Sequence, residues 1–218
     1  DLFTKFSHEL RTPLTLIISP VNDLMNDKFL PERLQYIVRT IYKNSKRLLL
    51  LVNQLLDFRK IEHGAMKLSI SKVPVESFIW EQIENFRELS SKKQITIHYE
   101  NLYKEDNVWF DVEMMEKVIS NLLSNAIKYT GECGQISIRS YELNEFFYFM
   151  ISDNGEGISE EDIHHIFEPF YQVHQGTHSG MFGSGIGLSL VQYIVKLHGG
   201  NIWVESEKGK GTTFYISL

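Results

Sequence analysis

Near its amino terminus the chain carries Phe6-Ser7-His8-Glu9-Leu10-Arg11-Thr12-Pro13-Leu14, a histidine followed by an acid, a hydroxyl and a proline. An imidazole near neutral pH is largely uncharged and keeps a lone pair, so His8 has the chemistry of a nucleophile. Glu9 could orient the ring or accept its proton. The two occupy successive helical positions about 100° apart, so Glu9 has to reach sideways to do so. Pro13 has no N–H for the carbonyl of Glu9, which predicts a bend or loosening at this turn. A lone histidine on a helix is more commonly a surface or packing residue. A bound phosphoryl donor would give it a task.

The residues for such a donor lie far downstream. Asn121, Asn125 and Lys128 recur at four- and three-residue steps, which places them on one face of a helix beginning at Asp111. Met115, Ile119, Leu122, Leu123 and Ala126 take the other side. Two asparagines in register are poor helix formers, yet their amide oxygens suit a hard cation such as Mg2+, and the lysine suits phosphate. Asp153-Asn154-Gly155-Glu156-Gly157-Ile158 follows an aromatic strand. There the Asp153 carboxylate could accept from an exocyclic amino group such as that of adenine, while Gly155 and Gly157 permit backbone shapes closed to other residues. A plain strand-to-helix turn explains the same residues, and Ser159 with Asp162 resembles a capping pair. Gly183-Ser184-Gly185-Ile186-Gly187-Leu188 then opens a helix whose unpaired N–H groups could hold phosphate. No strand immediately precedes it, which excludes a Rossmann fingerprint, and no Lys-Ser/Thr ending makes it a P-loop. The small polar residues between Phe170 and Gly183 read as a mobile lid.

The elements that must position these groups fall into two regions. Residues 1–63 contain no glycine, whereas the rest holds all 14, which separates a helical part from a mixed one. Pro31 lies between two helical patterns and suits the first turn of the second, giving an antiparallel helical hairpin. Leu34, Val38, Ile41, Leu48, Val52 and Leu55 step by threes and fours, allowing for Ser45 in the same register, and Leu48-Leu49-Leu50-Leu51-Val52 is apolar around most of the helix. Two helices cannot cover that surface, so a second copy is expected to complete a dimeric four-helix bundle, with packing on the second domain as the alternative. Gly64 terminates the second helix, and residues 64–66 form a hinge.

Beyond it, alternation predicts strands over 66–71, 94–99, 135–139, 201–205 and 212–217, and a strand covered on nearly both faces over 146–151. Helices are expected over 74–91, 111–129, 159–166 and 186–198, layered on one face of a mixed sheet. The fold class is α+β, with domains at 1–63 and 67–218. A net charge of −6 argues against direct nucleic acid binding. The single Cys133 fits a reducing compartment, and no apolar run reaches the length of a membrane span.

Six stretches together resemble the motifs of sensor histidine kinases, in that family's order and spacing. The segment around His8 resembles the H box, Asn121 to Thr130 the N box, and Asp153 to Gly157 the first glycine box. Phe167-Glu168-Pro169-Phe170-Tyr171 is similar to the F box, Gly183 to Leu188 to the second glycine box, and Gly209-Lys210-Gly211-Thr212 to the last. Leu51-Val52-Asn53-Gln54-Leu55-Leu56-Asp57-Phe58-Arg59-Lys60-Ile61-Glu62 resembles the kinase cores of hybrid two-component receptors.

The resemblance implies a dimerisation and phosphotransfer hairpin followed by an α/β sandwich ATP-binding domain of the Bergerat type. His8 would be the phosphoacceptor, Glu9 its base or orienting partner, and Thr12 the residue that positions water for dephosphorylating a partner. Asn125 would hold Mg2+ with support from Asn121, Lys128 and Tyr129 would meet phosphates or ribose, and Asp153 would read adenine. Gly155 and Gly157, then Gly183, Gly185 and Gly187, and finally Thr212 would complete the ATP site. The implied partners are a second copy of the chain and a response-regulator receiver domain, possibly in the same parent chain. The piece is expected to be an excised cytoplasmic core of a membrane-anchored receptor.

An ATPase of the same fold that drives a clamp would leave His8 without a role. A silent dimeric scaffold would leave Asn125, Lys128, Asp153 and the glycines without one. His164, His165, His174 and His178 could suggest zinc, but a glycine-bearing loop is a poor rigid cage and no cysteine assists.

Overall fold

Glycine-free sequence with long apolar periodicity forms two long helices, α1 (Leu2–Met25) and α2 (Glu32–Glu62). The computed structural model describes residues 2–25, 27, 30–64, 66–173 and 184–218, with backbone only for 2–11, Phe58 and Glu62. The short connection over 26–31 makes α1 and α2 pack along each other as a hairpin. Pro31 stands at the N-cap with φ −55°, and its carbonyl receives Leu34 N at 2.8 Å and Gln35 N at 3.2 Å. Pro13 and Pro20 lie inside α1 without interrupting it, so the loosening expected at Pro13 does not break the helix. Leu14, the residue after Pro13, is buried. At the other end of α2, Gly64 takes φ +58° and donates to Ile61 O at 3.0 Å.

The chain divides into two compact units, residues 1–66 and 67–218. In the second unit β1 (Ser71–Pro74) pairs antiparallel with β3 (Asn107–Phe110) as a small sheet. The main sheet runs in the order β2-β4-β5-β7-β6. Its strands are β2 (Thr96–Asn101), β4 (Gln135–Leu143), β5 (Phe146–Asp153), β6 (Asn201–Glu207) and β7 (Gly211–Ser217). β2 lies parallel to β4 and every other neighbouring pair is antiparallel. The helices are α3 (Val75–Glu84), α4 (Arg87–Lys92), α5 (Val112–Tyr129), α6 (Glu160–Ile163) and α7 (Gly187–Leu197).

The core forms where the apolar sides of α3, α5 and α7 meet one face of the sheet. Val118, Leu122 and Leu123 of α5 and Val191, Ile194 and Val195 of α7 are buried, as are Ile136, Ile138, Phe149, Ile151 and Ile216 of the strands. The opposite face carries an aromatic row. Tyr141 stacks on Tyr148, Tyr148 meets Trp203 edge-on, and Trp203 stacks on Tyr215. β5 is therefore buried on one side and only half-covered on the other, rather than enclosed on both.

Four further expectations need correction, the first being the helix expected over 159–166, which spans only Glu160–Ile163. Residues 66–70 form no strand, because Ser69 N donates to Asp111 Oδ2 at 2.7 Å, and ladder pairing begins at Ser71, opposite Phe110. The helix expected over 74–91 is two, broken where Phe86 N turns back to Ile83 O at 3.0 Å. The strand expected from Gln94 starts at Thr96, since Gln94 takes a positive φ of 56°.

Candidate functional site

α5 is the element on which the site is built. Asp111 caps it, its Oδ1 accepting from Met114 N at 3.0 Å while Oδ2 takes Ser69 N. The Asp111 backbone N–H donates to His198 Nε2 at 3.0 Å, and the other ring nitrogen meets Ile194 O at 2.8 Å, which places the ring proton on Nδ1. The start of α5 is thereby tied to the end of α7. Sequence reading did not single out His198. Its partners stand 87 and 4 residues away, and only the nearer one has a spacing visible in a helix.

With Met115, Ile119, Leu122 and Ala126 buried, Asn121, Asn125 and Lys128 share the partly exposed face. Asn121 Nδ2 donates to Lys117 O at 2.7 Å, which leaves its Oδ1 turned toward Gly187 at the start of α7. A β-carbon on Gly187 would stand 2.5 Å from that oxygen, so glycine permits the approach. Lys128 Nζ donates to Tyr129 Oη at 3.0 Å and lies 4.7 Å from the centre of its ring. Both groups sit at the rim, Tyr129 with 44 % of its surface exposed.

Asp153 closes β5 beside the C-terminal end of α5. Its Oδ1 accepts from Gly155 N at 2.9 Å, and the backbone N–H of Thr212 also donates to the carboxylate. Burial pushes the carboxyl above its ordinary range, and those two N–H groups offset part of the shift. Gly155 passes so close to α5 that a β-carbon there would lie 2.4 Å from Tyr129 O. Glu156 N donates to the same carbonyl at 3.2 Å. Thr130 Oγ1 is buried and has no partner among the described residues, an orphan that an ordered water or a bound molecule would satisfy.

The turn after Asp153 is fixed from its far side by the β6–β7 hairpin. Ile158 N donates to Ser206 Oγ at 2.8 Å, Ser206 donates to Gly211 O at 2.8 Å, and its hydroxyl lies 2.9 Å from that of the buried Thr212. Gly209 N reaches Glu156 O at 2.7 Å, and Gly157, at φ +65°, leaves no room for a side chain against Glu207 O. Ser206 carried no sequence signal, since it reads as one polar residue in an alternating strand.

Phe170 takes a positive φ of 68°, rare for a bulky residue, and donates its N–H to Gly185 O at 2.8 Å. Tyr171 Oη donates to Asp162 Oδ1 at 2.6 Å. Hydrogen bonds from Ser159 and Tyr171 hold the Asp162 carboxyl below its ordinary range, and Asp162 in turn pushes the Tyr171 phenol up. Gly183, His174 and His178 lie outside the described residues, as does most of the expected lid. His165 pairs with Glu168, and no group of three or more His, Cys, Asp or Glu gathers among the described residues.

The structure thus brings Asp153, Gly155, Tyr129 and Thr212 to one corner, and Asn121 and Gly187 to another part of the same α5 surface. His8, Glu9 and Thr12 belong to α1 in the other unit, Thr12 on its exposed side. A half-buried acid with an accepting oxygen, an orphan hydroxyl, amide oxygens in register and an α7 start without a side-chain cap are the donors and acceptors an adenine nucleotide requires.

Residues 110–218 match the family of histidine kinase-, DNA gyrase B- and HSP90-like ATPases, and residues 1–64 match the His Kinase A (phospho-acceptor) domain. The chain belongs to the sensor histidine kinases. Its second unit therefore carries the ATP-binding domain of that family.

This kinase core is 35% identical to Histidine kinase P4 of Formosa agariphila over 100% of the chain and 16% of that protein. It is 33% identical to the alginate biosynthesis sensor protein KinB of Pseudomonas aeruginosa over 100% of the chain and 36% of that protein. The chain spans about a sixth and about a third of the length of those relatives. Among solved structures, full-length ShkA in complex with AMPPNP aligns with a TM-score of 0.84 and 27% identity. That alignment covers 100% of the chain and 45% of ShkA. The histidine kinase ThkA in complex with the response regulator protein TrrA aligns with a TM-score of 0.67 and 27% identity, covering 100% of the chain and 60% of that protein. No described helix of the kinase core is long and apolar enough to cross a membrane.

Proposed function

We propose that this chain is the autophosphorylating core of a two-component receptor, transferring the γ-phosphoryl group of ATP to His8 and from there to an aspartate of a response-regulator receiver. The observation that carries the reading is the joining of Asp153, the first glycine turn and the α5 stripe at one site, in a chain whose other unit bears His8 on a helical hairpin. The site residues keep the roles set out from the sequence. Asp153 accepts the adenine amino group, and Gly155, Gly157 and Thr212 shape the wall behind it. Lys128 and Tyr129 meet phosphate or ribose at the rim. Gly183, Gly185 and Gly187 let backbone N–H groups approach the phosphates.

Asn125, supported by Asn121, would hold Mg2+ through its amide oxygen, and the ion when bound would neutralise charge on the phosphate oxygens. In the transfer, an imidazole nitrogen of His8 forms the N–P bond as the bond to the bridging oxygen breaks and ADP leaves. Glu9 orients the ring or receives its proton. Catalysis of this kind is mainly positioning and charge stabilisation. Thr12 positions the water that removes phosphate from the receiver. Boundaries at 1–63, 64–66 and 67–218 separate phosphotransfer hairpin, hinge and ATP-binding domain. The acting species is a homodimer through the hairpin, the cytoplasmic portion of a membrane-anchored parent.

Incubation with ATP labelled at the γ position tests this. Protein-bound label that is acid-labile but alkali-stable is expected, absent from His8→Gln and abolished by Asn125→Ala. Label that persists in His8→Gln would remove the central claim.

A further inference from the structure

The carbonyls at the end of α5 can be accounted for one by one. Ala126 O accepts from Thr130 N at 3.0 Å, Tyr129 O from Glu156 N at 3.2 Å, and Gly131 O from Gly134 N at 3.3 Å. The other three in this stretch go to a single donor. Lys93 Nζ donates to Ile127 O at 2.8 Å, to Lys128 O at 3.0 Å and to Thr130 O at 3.0 Å. All three ammonium protons are used, and the positive charge lies at the negative end of the helix dipole.

The backbone around Lys93 is fastened to the same segment. Lys93 O accepts from Cys133 N at 2.9 Å, Thr96 N donates to Gly134 O at 3.0 Å, and Cys133 Sγ lies 3.1 Å from Gln94 Oε1. Gln94 and Cys133 both take positive φ, 56° and 58°, to make these approaches. The turn that Lys93 holds is the one that presents Lys128 and Tyr129. Its Tyr129 carbonyl lies against Gly155 and receives Glu156 N, next to the half-buried Asp153. Nothing else among the described residues ties Ile127 O and Lys128 O, which in a helix of this length have no intrahelical donor after Thr130.

We infer that Lys93 is a positioning residue for the nucleotide site, its ammonium setting the last turn of α5 against the glycine turn that follows Asp153. The inference rests on the reading of this site as an ATP site. Without the charge, three partly buried carbonyls must find water, the turn loosens, and the Tyr129 carbonyl no longer fixes Glu156 at its distance from the α5 stripe.

The test is Lys93→Met in the full chain, which keeps the aliphatic stem, beside Lys92→Met, which removes the same charge from an exposed pair with Glu88. Two readouts are taken, the affinity for a non-hydrolysable ATP analogue by calorimetry and amide hydrogen exchange without nucleotide. Lys93→Met is expected to bind about tenfold or more weakly. It is also expected to lose exchange protection selectively at Glu156, with mid-strand amides of β5 unchanged, while Lys92→Met matches wild type in both. A uniform loss of protection with unchanged affinity, or an equal effect of Lys92→Met, would overturn the inference. If Lys93→Met does not fold, Lys93→Gln, which keeps two donors without the charge, is measured instead. Unfolding of both would make Lys93 a determinant of the fold and overturn its positioning role. Absence of binding by wild type would sink the ATP reading itself, a result distinct from wild type and Lys93→Met binding equally.

Discussion

Asp153 is the residue whose environment and proposed role pull in opposite directions. Burial disfavours its charged form, yet accepting the adenine amino group is best done by a carboxylate. Since its carboxyl titrates above the ordinary 3.8, the folded chain binds the proton more readily than the unfolded one. Ionised Asp153 therefore lowers stability at neutral pH, and that penalty disappears as pH falls through the raised value toward 3.8. Asp153→Asn is expected to raise the thermal midpoint at pH 7, with the difference from wild type shrinking on acidification. The same change should weaken ATP-analogue binding at pH 7 by about tenfold or more, because the amide NH2 opposes a donor. Wild-type affinity should itself fall in mildly acidic buffer before an ordinary carboxylate would titrate. Paired melting curves and calorimetry over this pH range check both signs. A lower midpoint for Asp153→Asn at pH 7 would show that its charge is a net stabiliser.

At the scale of elements, α5 is held at both ends by residues from elsewhere, Lys93 at one and Asp111 with Ser69 and His198 at the other. Asp111 is 5 % exposed, so removing its carboxylate abandons a cap bond and leaves Ser69 N–H without its acceptor. Asp111→Ala should cost about 1–2 kcal/mol, and Asp111→Asn less, since an amide oxygen still accepts from Met114 N. Trp80, Trp109 and Trp203 all lie beyond residue 67, so urea unfolding followed by tryptophan fluorescence reports this unit alone. Equal midpoints for Asp111→Ala and wild type would contradict the capping account.

The same helix shows what could be read in advance. Its apolar and polar faces follow from the 3.6-residue period, and the main strands from alternation, because both patterns are local. β3 and the true start of β1 were not legible, since two four-residue strands exist only by pairing with each other. The asparagines, Asp153 and the glycines stand in recognisable runs. Lys93, Ser206 and His198 do not, since each acts on a segment 34 or more residues away or across a hairpin whose register is set by folding.

For the whole molecule, the decisive surface is the hairpin's own. Ile41, Leu48 and Leu55 recur at seven-residue steps along α2 and remain 43 %, 49 % and 42 % exposed, although α1 already packs beside them. Val38 and Leu56, by contrast, are buried within the hairpin. A continuous apolar stripe at this period is the seam of a helical bundle, and leaving it in water is unfavourable by about 25 cal/mol for each Å². A second hairpin presenting the same stripe would cover it with two-fold symmetry, each Leu48 then packing on the partner's copy of the stripe. Leu48→Glu would place two like charges in that seam, so sedimentation should show wild type at twice the chain mass and Leu48→Glu at the single-chain mass. Because the ATP-binding unit has its own core, Leu48→Glu should bind the ATP analogue with unchanged affinity. A Leu48→Glu chain that still sediments as a dimer would move the seam elsewhere on the molecule. A variant that loses nucleotide affinity together with the dimer would mean the two units do not fold independently.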